Sequence, residues 1–96
     1  MHIALHDGFS GQTVTVRVDG REVYRRAGVS TDLRISRADA FDTEAAGPAV
    51  EVEVRVDPGG RQAATRLDLA VTPYLAINLV DGAIQLTPSA TPFFYM

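Results

Sequence analysis

His2 and His6 are the only imidazoles in the chain, and Asp7 stands beside the second. On an extended backbone, positions 2, 4 and 6 share a face opposite Ile3 and Leu5. Two imidazoles and a carboxylate are good donors for a divalent metal. However, residues four apart on a strand stand about 13 Å apart by strand rise, too far to share one ion without a bend. The spacing therefore points to two solvent-facing histidines on an edge strand. Asp39, Asp42 and Glu44 offer oxygens for calcium, but they lack the alternating Asp/Asn ligands, glycine turn and terminal Glu of a calcium loop. They read as an acidic, solvated connection. The loop residues His6, Asp7, Phe9, Asp39, Asp42 and Glu44 are kept as the candidate set for a small ligand, a sugar or a divalent metal. No resident metal or other cofactor is expected.

Nucleophilic catalysis needs a hydroxyl, a base and an acid to orient it. Ser10, Ser30, Ser36 and Ser89 are available, but none lies in a nucleophile-elbow sequence, and both histidines fall within the first six residues. Glu51 and Glu53 project from one strand face about 7 Å apart, a separation that glycosidases use. Those enzymes flank a sugar bond in a cleft, whereas alternate residues of one strand form a flat, solvated face. Cross-strand pairing with Arg55, Arg61 or Arg66 accounts for them. Gly8-Phe9-Ser10-Gly11 and Pro58-Gly59-Gly60 lack the helix and lysine of a phosphate cradle and read as turns. The expectation is a protein with no catalytic residues.

The elements that position these groups follow from alternation. In residues 12–18, Val14, Val16 and Val18 fall on one face while Thr13, Thr15 and Arg17 fall on the other, the period-2 pattern of a half-buried strand. Asp19-Gly20 then supplies a tight primed turn, so residues 21–25 return as its partner. Residues 49–56 repeat the pattern with four inward valines, and Asp57-Pro58-Gly59-Gly60 turns the chain into 62–71, with Leu67, Leu69 and Val71 inward. Tyr74–Val80, a second Asp-Gly pair and 83–87 form a third hairpin. Residues 3–6, 32–36 and 92–96 are shorter strand candidates. Residues 36–46 read as a loop with at most one helical turn, because Phe41 is their one large apolar side chain.

These elements give an all-β chain with little or no helix, a small antiparallel sandwich of eight or nine strands forming a single domain. The hairpin GQTVTVRVDGREVYR, residues 11–25, is similar to strand pairs of many sandwich domains. That likeness implies immunoglobulin-like or transthyretin-like architecture.

Ninety-six residues with 46% hydrophobic and 22% charged content suit one core. Cysteine is absent, so disulfides and thiolate sites are excluded. A net charge of −3, with nine scattered arginines, disfavours nucleic acid. The start carries neither a basic leader nor a long apolar run, and no segment has the length of a membrane span, which points to the cytoplasm and away from membranes.

The run Pro92-Phe93-Phe94-Tyr95-Met96 displays large apolar groups on both faces of any strand, and Tyr74, Ala76 and Val80 make a milder demand on the outer face of theirs. These residues, Phe93, Phe94 and Tyr95 with Tyr74, Ala76 and Val80, are the expected interface. The function expected is a non-enzymatic binding or assembly module that works through a protein partner or through self-association. The alternative is a small-ligand module.

Overall fold

Four valines at every second position of residues 50–56, and three at 14–18, define the inner face of one sheet. In the computed structural model, which describes residues 1–32, 34, 37–44 and 47–91, all seven are buried. The strands are β1 (His2–Leu5), β2 (Ser10–Val18), β3 (Arg21–Ser30), β4 (Asp39–Asp42), β5 (Ala49–Asp57), β6 (Arg61–Asp68), β7 (Tyr74–Val80) and β8 (Ala83–Ser89). They form two four-stranded sheets, ordered β4-β1-β7-β8 and β3-β2-β5-β6. Ile3, Leu5, Leu75, Ile77 and Leu79 of the first sheet meet the valines and Leu67 of the second in one apolar cluster. The β-sandwich class is as expected.

The three hairpins also form as expected, and their turns show why. Asp19 and Gly20 have φ of 50° and 81°, and Asp81 and Gly82 have φ of 50° and 77°. Both central residues are left-handed, the geometry that matches the twist of paired strands and favours Asp-Gly. Strand β3 continues to Ser30 rather than ending at 25, and its register against β2 shifts at three places.

Other expectations are corrected. Residues 39–42 are a strand, not a loop: β4 pairs with β1 from His2↔Asp42 to Leu5↔Asp39. With a single large apolar residue, this strand is held by tertiary pairing rather than by its own pattern. Strand β1 is not an edge strand. It lies between β4 and β7, and its pairing with β7 is parallel, so the sheet is mixed rather than purely antiparallel. Of the strand expected at 32–36, the described part is an isolated bridge between Asp32 and Arg37. Val71 is 60% exposed rather than inward, because β6 ends at Asp68, whose backbone carbonyl accepts the N–H groups of Val71 and Thr72 in a turn. Leu69 is half-buried. Immunoglobulin domains place their first, second, fifth and fourth strands in one sheet. Here β1 and β2 lie in opposite sheets, so the strand order departs from the immunoglobulin one.

Candidate functional site

The first candidate groups lie on the outer face of the β4-β1-β7-β8 sheet. His2 Nδ1 stands 3.0 Å from Asp42 Oδ1, and the His2 ring meets Tyr74 edge-on at 6.1 Å. The pairing register sets this row, since His2 lies opposite Asp42 on one side and Tyr74 on the other. His6 is half-buried just past the end of β1. Burial pushes its imidazole below the usual value; Asp7 opposes that shift, while Arg37 and His2 add to it. Asp7 is exposed, and its N–H donates to Asn78 Oδ1 at 2.9 Å.

Asp39 belongs to a different place. Its Oδ2 accepts from Tyr24 Oη at 2.8 Å and from Arg26 Nη1 at 2.9 Å, and its Oδ1 accepts from the Ala40 N–H. The Tyr24 ring stacks on Phe41 at 4.5 Å, nearly parallel. These contacts join the edge strands β3 and β4 and close one side of the sandwich. Burial works against the Asp39 carboxylate, but its three donors outweigh burial and hold the carboxyl below the usual range. Burial, then the bond to Asp39, drives the Tyr24 phenol upward.

The six loop residues expected to share a ligand are therefore dispersed. Phe9 is 4% exposed and packs in the core, since a large apolar ring gains more from burial than from a wet loop. Asp39 is engaged in the β3–β4 seam, Asp42 pairs with His2, and Glu44 is exposed. Among the described residues, no three His, Asp or Glu side chains converge as a metal site would need. Glu51 faces Arg66 across β5 and β6, in line with the cross-strand reading of the outer carboxylates, whereas Glu53 faces Ala64.

The expected interface also divides. Val80 is 48% exposed and Tyr74 is half-buried, but Ala76 is only 4% exposed and offers no surface, being a short side chain on an inner strand. Phe93, Phe94 and Tyr95 lie outside the described residues.

Two features escaped the sequence. One is a depression of about 640 Å³ on the outer face of β3-β2-β5-β6. Arg17, Arg25 and Arg55 line it together with Glu22, Glu53 and Asp57. Arg55 Nε bonds Asp57 Oδ2 at 3.0 Å, and that guanidinium holds the Asp57 carboxyl below its usual range. Pairing register sets Arg17 between Glu22 and Glu53. Among the described residues, neither a hydrogen bond nor an ion pair ties the side chains of Arg17, Arg25, Glu22 or Glu53. The alternation of charged residues was visible in the sequence, but their convergence depends on sheet order.

The other feature is the outer edge of β8. A free sheet edge offers unpaired N–H and C=O groups, and proteins blunt such edges with charge, bulges, proline or shortness. Strand β3 carries Arg21, Glu22, Arg25 and Arg26 and an irregular register. Strand β4 has four residues, two of them Asp, and β6 carries Arg61, Arg66 and Asp68. Strand β8 has no charged residue, and its register with β7 is unbroken from Tyr74↔Ser89 to Val80↔Ala83.

The two-residue turn makes Val80 and Ala83 a hydrogen-bonded pair, so Ala83, Gln85 and Thr87 aim their backbone groups at β7. Ile84 and Leu86 aim theirs outward. Pro88 falls on the same outward side, where its missing N–H costs no bond to β7. Ile84 and Leu86 are half-buried against the core, and among the described residues no strand pairs with the outer side of β8. The signal for this edge, a chargeless run from Ala83 to Thr91, was legible. Its position at the sheet margin was not.

Compared with protein-family models, curated proteins and solved structures, the chain matches none, so its reading rests on its own geometry.

Proposed function

We propose that the protein is a non-enzymatic binding or assembly module that engages a protein partner by strand addition at the edge of β8. The supporting observation is that β8 is the one sheet edge without charge or register shift among the described residues. In this binding mode, main-chain hydrogen bonds supply affinity and alternate side chains supply specificity. Here Ile84 and Leu86 donate and accept, while Gln85 and Thr87 on the outer face discriminate. A chain of net charge −3 without cysteine suits a cytoplasmic setting and partners other than nucleic acid or membrane. No helix of the described residues is long and apolar enough to cross a membrane.

The reading is tested by titrating the isotope-labelled protein with a short alternating peptide, Ac-Thr-Val-Thr-Val-Thr-amide. Shifts of the Ile84 and Leu86 amide resonances, with slowed exchange of both protons, are expected. Changes confined to other strands would refute the reading.

A small-ligand role has one observation in its favour, the charged depression of about 640 Å³ on the opposite sheet. Its alternating guanidinium and carboxylate groups suit a hydrophilic molecule such as a sugar, whose hydroxyls both donate and accept. Among the described residues, no aromatic platform lines it. Unchanged melting across a set of monosaccharides and divalent ions would remove this second reading.

A further inference from the structure

We infer that the charged depression on the outer face of β3-β2-β5-β6 binds a phosphomonoester of a small polyol, such as a sugar phosphate, with the phosphate seated between Arg25 and Arg55 above Thr15. The inference rests on the small-ligand reading of that depression and names the ligand's class.

The pairing register builds two different rows across this face. In the first, Thr15 lies opposite Arg25 on β3 and opposite Arg55 on β5, and Arg55 lies opposite Gln62 on β6. Neighbouring strands stand about 4.8 Å apart, so the two arginine backbones are about 10 Å apart, with a short, half-buried threonine between them. Side chains as long as arginine can close on one tetrahedral oxyanion from both sides, each offering a planar fork of donors. The Thr15 hydroxyl supplies a donor from the floor, and the Gln62 amide supplies another from the β6 side.

One of the two guanidiniums is already held. Arg55 Nε donates to Asp57 Oδ2 at 3.0 Å, and the Gly60 N–H donates to Asp57 Oδ1 at 3.1 Å. This clamp takes the Nε edge of Arg55 and leaves Nη1 for a ligand. Arg25 has neither a hydrogen bond nor an ion pair among the described residues. A fixed cation and an unengaged one, with only a hydroxyl between them, are completed by an anion.

The second row decides what the phosphate carries. Arg17 lies between Glu22 and Glu53, and Ala64 ends the row with a methyl group that leaves room beside Glu53. Carboxylates accept from hydroxyls and a guanidinium donates to them, so this row suits a polyol. The same carboxylates repel a second phosphate, which disfavours diphosphates and nucleic acid. Three arginines stand against three carboxylates in a depression of about 640 Å³, enough for one sugar phosphate.

Titration of the isotope-labelled protein with glucose 6-phosphate, inorganic phosphate and glucose tests the inference, read from the Thr15 and Arg55 amides and the Arg25 Nε–H. Glucose 6-phosphate should move all three resonances and bind about tenfold tighter than either other probe. Arg25 is exposed, so Arg25→Gln leaves the fold intact, and it should weaken that binding about tenfold. Arg66→Gln removes the same charge from β6 outside the depression and should change binding by less than about twofold. Equal affinity for glucose and glucose 6-phosphate would overturn the phosphate seat and leave the sugar reading standing. Equal affinity for inorganic phosphate and the ester, or equal losses in the two variants, would also overturn the inference. No response to any of the three probes would overturn it, and unchanged melting across other monosaccharides and divalent ions would then remove the reading beneath it.

Discussion

Tyr24 Oη donates a 2.8 Å hydrogen bond to Asp39 Oδ2, linking the edge strand of one sheet to the edge strand of the other. Strand β4 has four residues and little apolar surface, so this bond and the Tyr24–Phe41 stack help to fix its place. Tyr24→Phe keeps the stack and removes the bond. A loss of about 1 kcal/mol in urea unfolding is expected, at the low end for a bond to a charged acceptor because the site is partly wet.

Acidification should weaken the fold in two stages. His6 has a lowered pKa in the folded chain, so the unfolded chain binds its proton first. The contribution of neutral His6 is full above the ordinary imidazole value of about 6.5 and is lost as pH falls through the lower folded value. Asp39 is likewise lowered, and its contribution is full above the ordinary carboxylate value of about 3.9 and lost at more acid pH. Unfolding midpoints measured from pH 8 to pH 3 should fall in both windows. His6→Gln should flatten the upper one and leave the lower one in place.

Leu67 and Val71 separate core from turn within five residues. Leu67 is 1% exposed and Val71 is 60% exposed. Leu67→Ala should cost about 3 kcal/mol by denaturant unfolding, the usual loss for a buried leucine. Val71→Ala should stay within about 0.5 kcal/mol.

How far the sequence carried this account depends on the range over which each signal acts. The alternating valines and the Asp-Gly turns act between neighbours, and they identified all three hairpins and every residue of both valine rows. Strand β4 escaped because its stability comes from β1 and Tyr24, distant in the chain. The inner position of β1 rests on parallel pairing with β7, some seventy residues on, which no local pattern encodes. For the same reason, the candidate ligand residues of the two stretches 6–9 and 39–44 were grouped by residue type alone, whereas the fold sends Phe9 to the core and Asp39 to the seam. Val71 was misplaced because alternation was continued past Asp68, where the backbone turns.

Two glycines should respond very differently to one added methyl. Gly20 has a φ of 81° but open space around it, so Gly20→Ala should cost about 1 kcal/mol in backbone strain alone. Gly8 has a φ of 91°, and a Cβ there would run into the backbone carbonyl of Leu79. Next to it, the Leu79 N–H donates to the Asp7 carbonyl at 2.9 Å, so the two segments cannot move apart without losing that bond. Gly8→Ala should cost about 3 kcal/mol or more, read from thermal and urea unfolding together.

Strand addition requires that the outer side of β8, which no described strand pairs, be open, and amide exchange at Ile84 and Leu86 reads that side directly. Both protons should exchange quickly in the protein alone and slow progressively as Ac-Thr-Val-Thr-Val-Thr-amide is added, while Gln85 and Thr87, bonded to β7, stay protected throughout. Exchange at Ile84 and Leu86 that is slow without peptide, or equally fast at the highest peptide concentration, would contradict strand addition at β8.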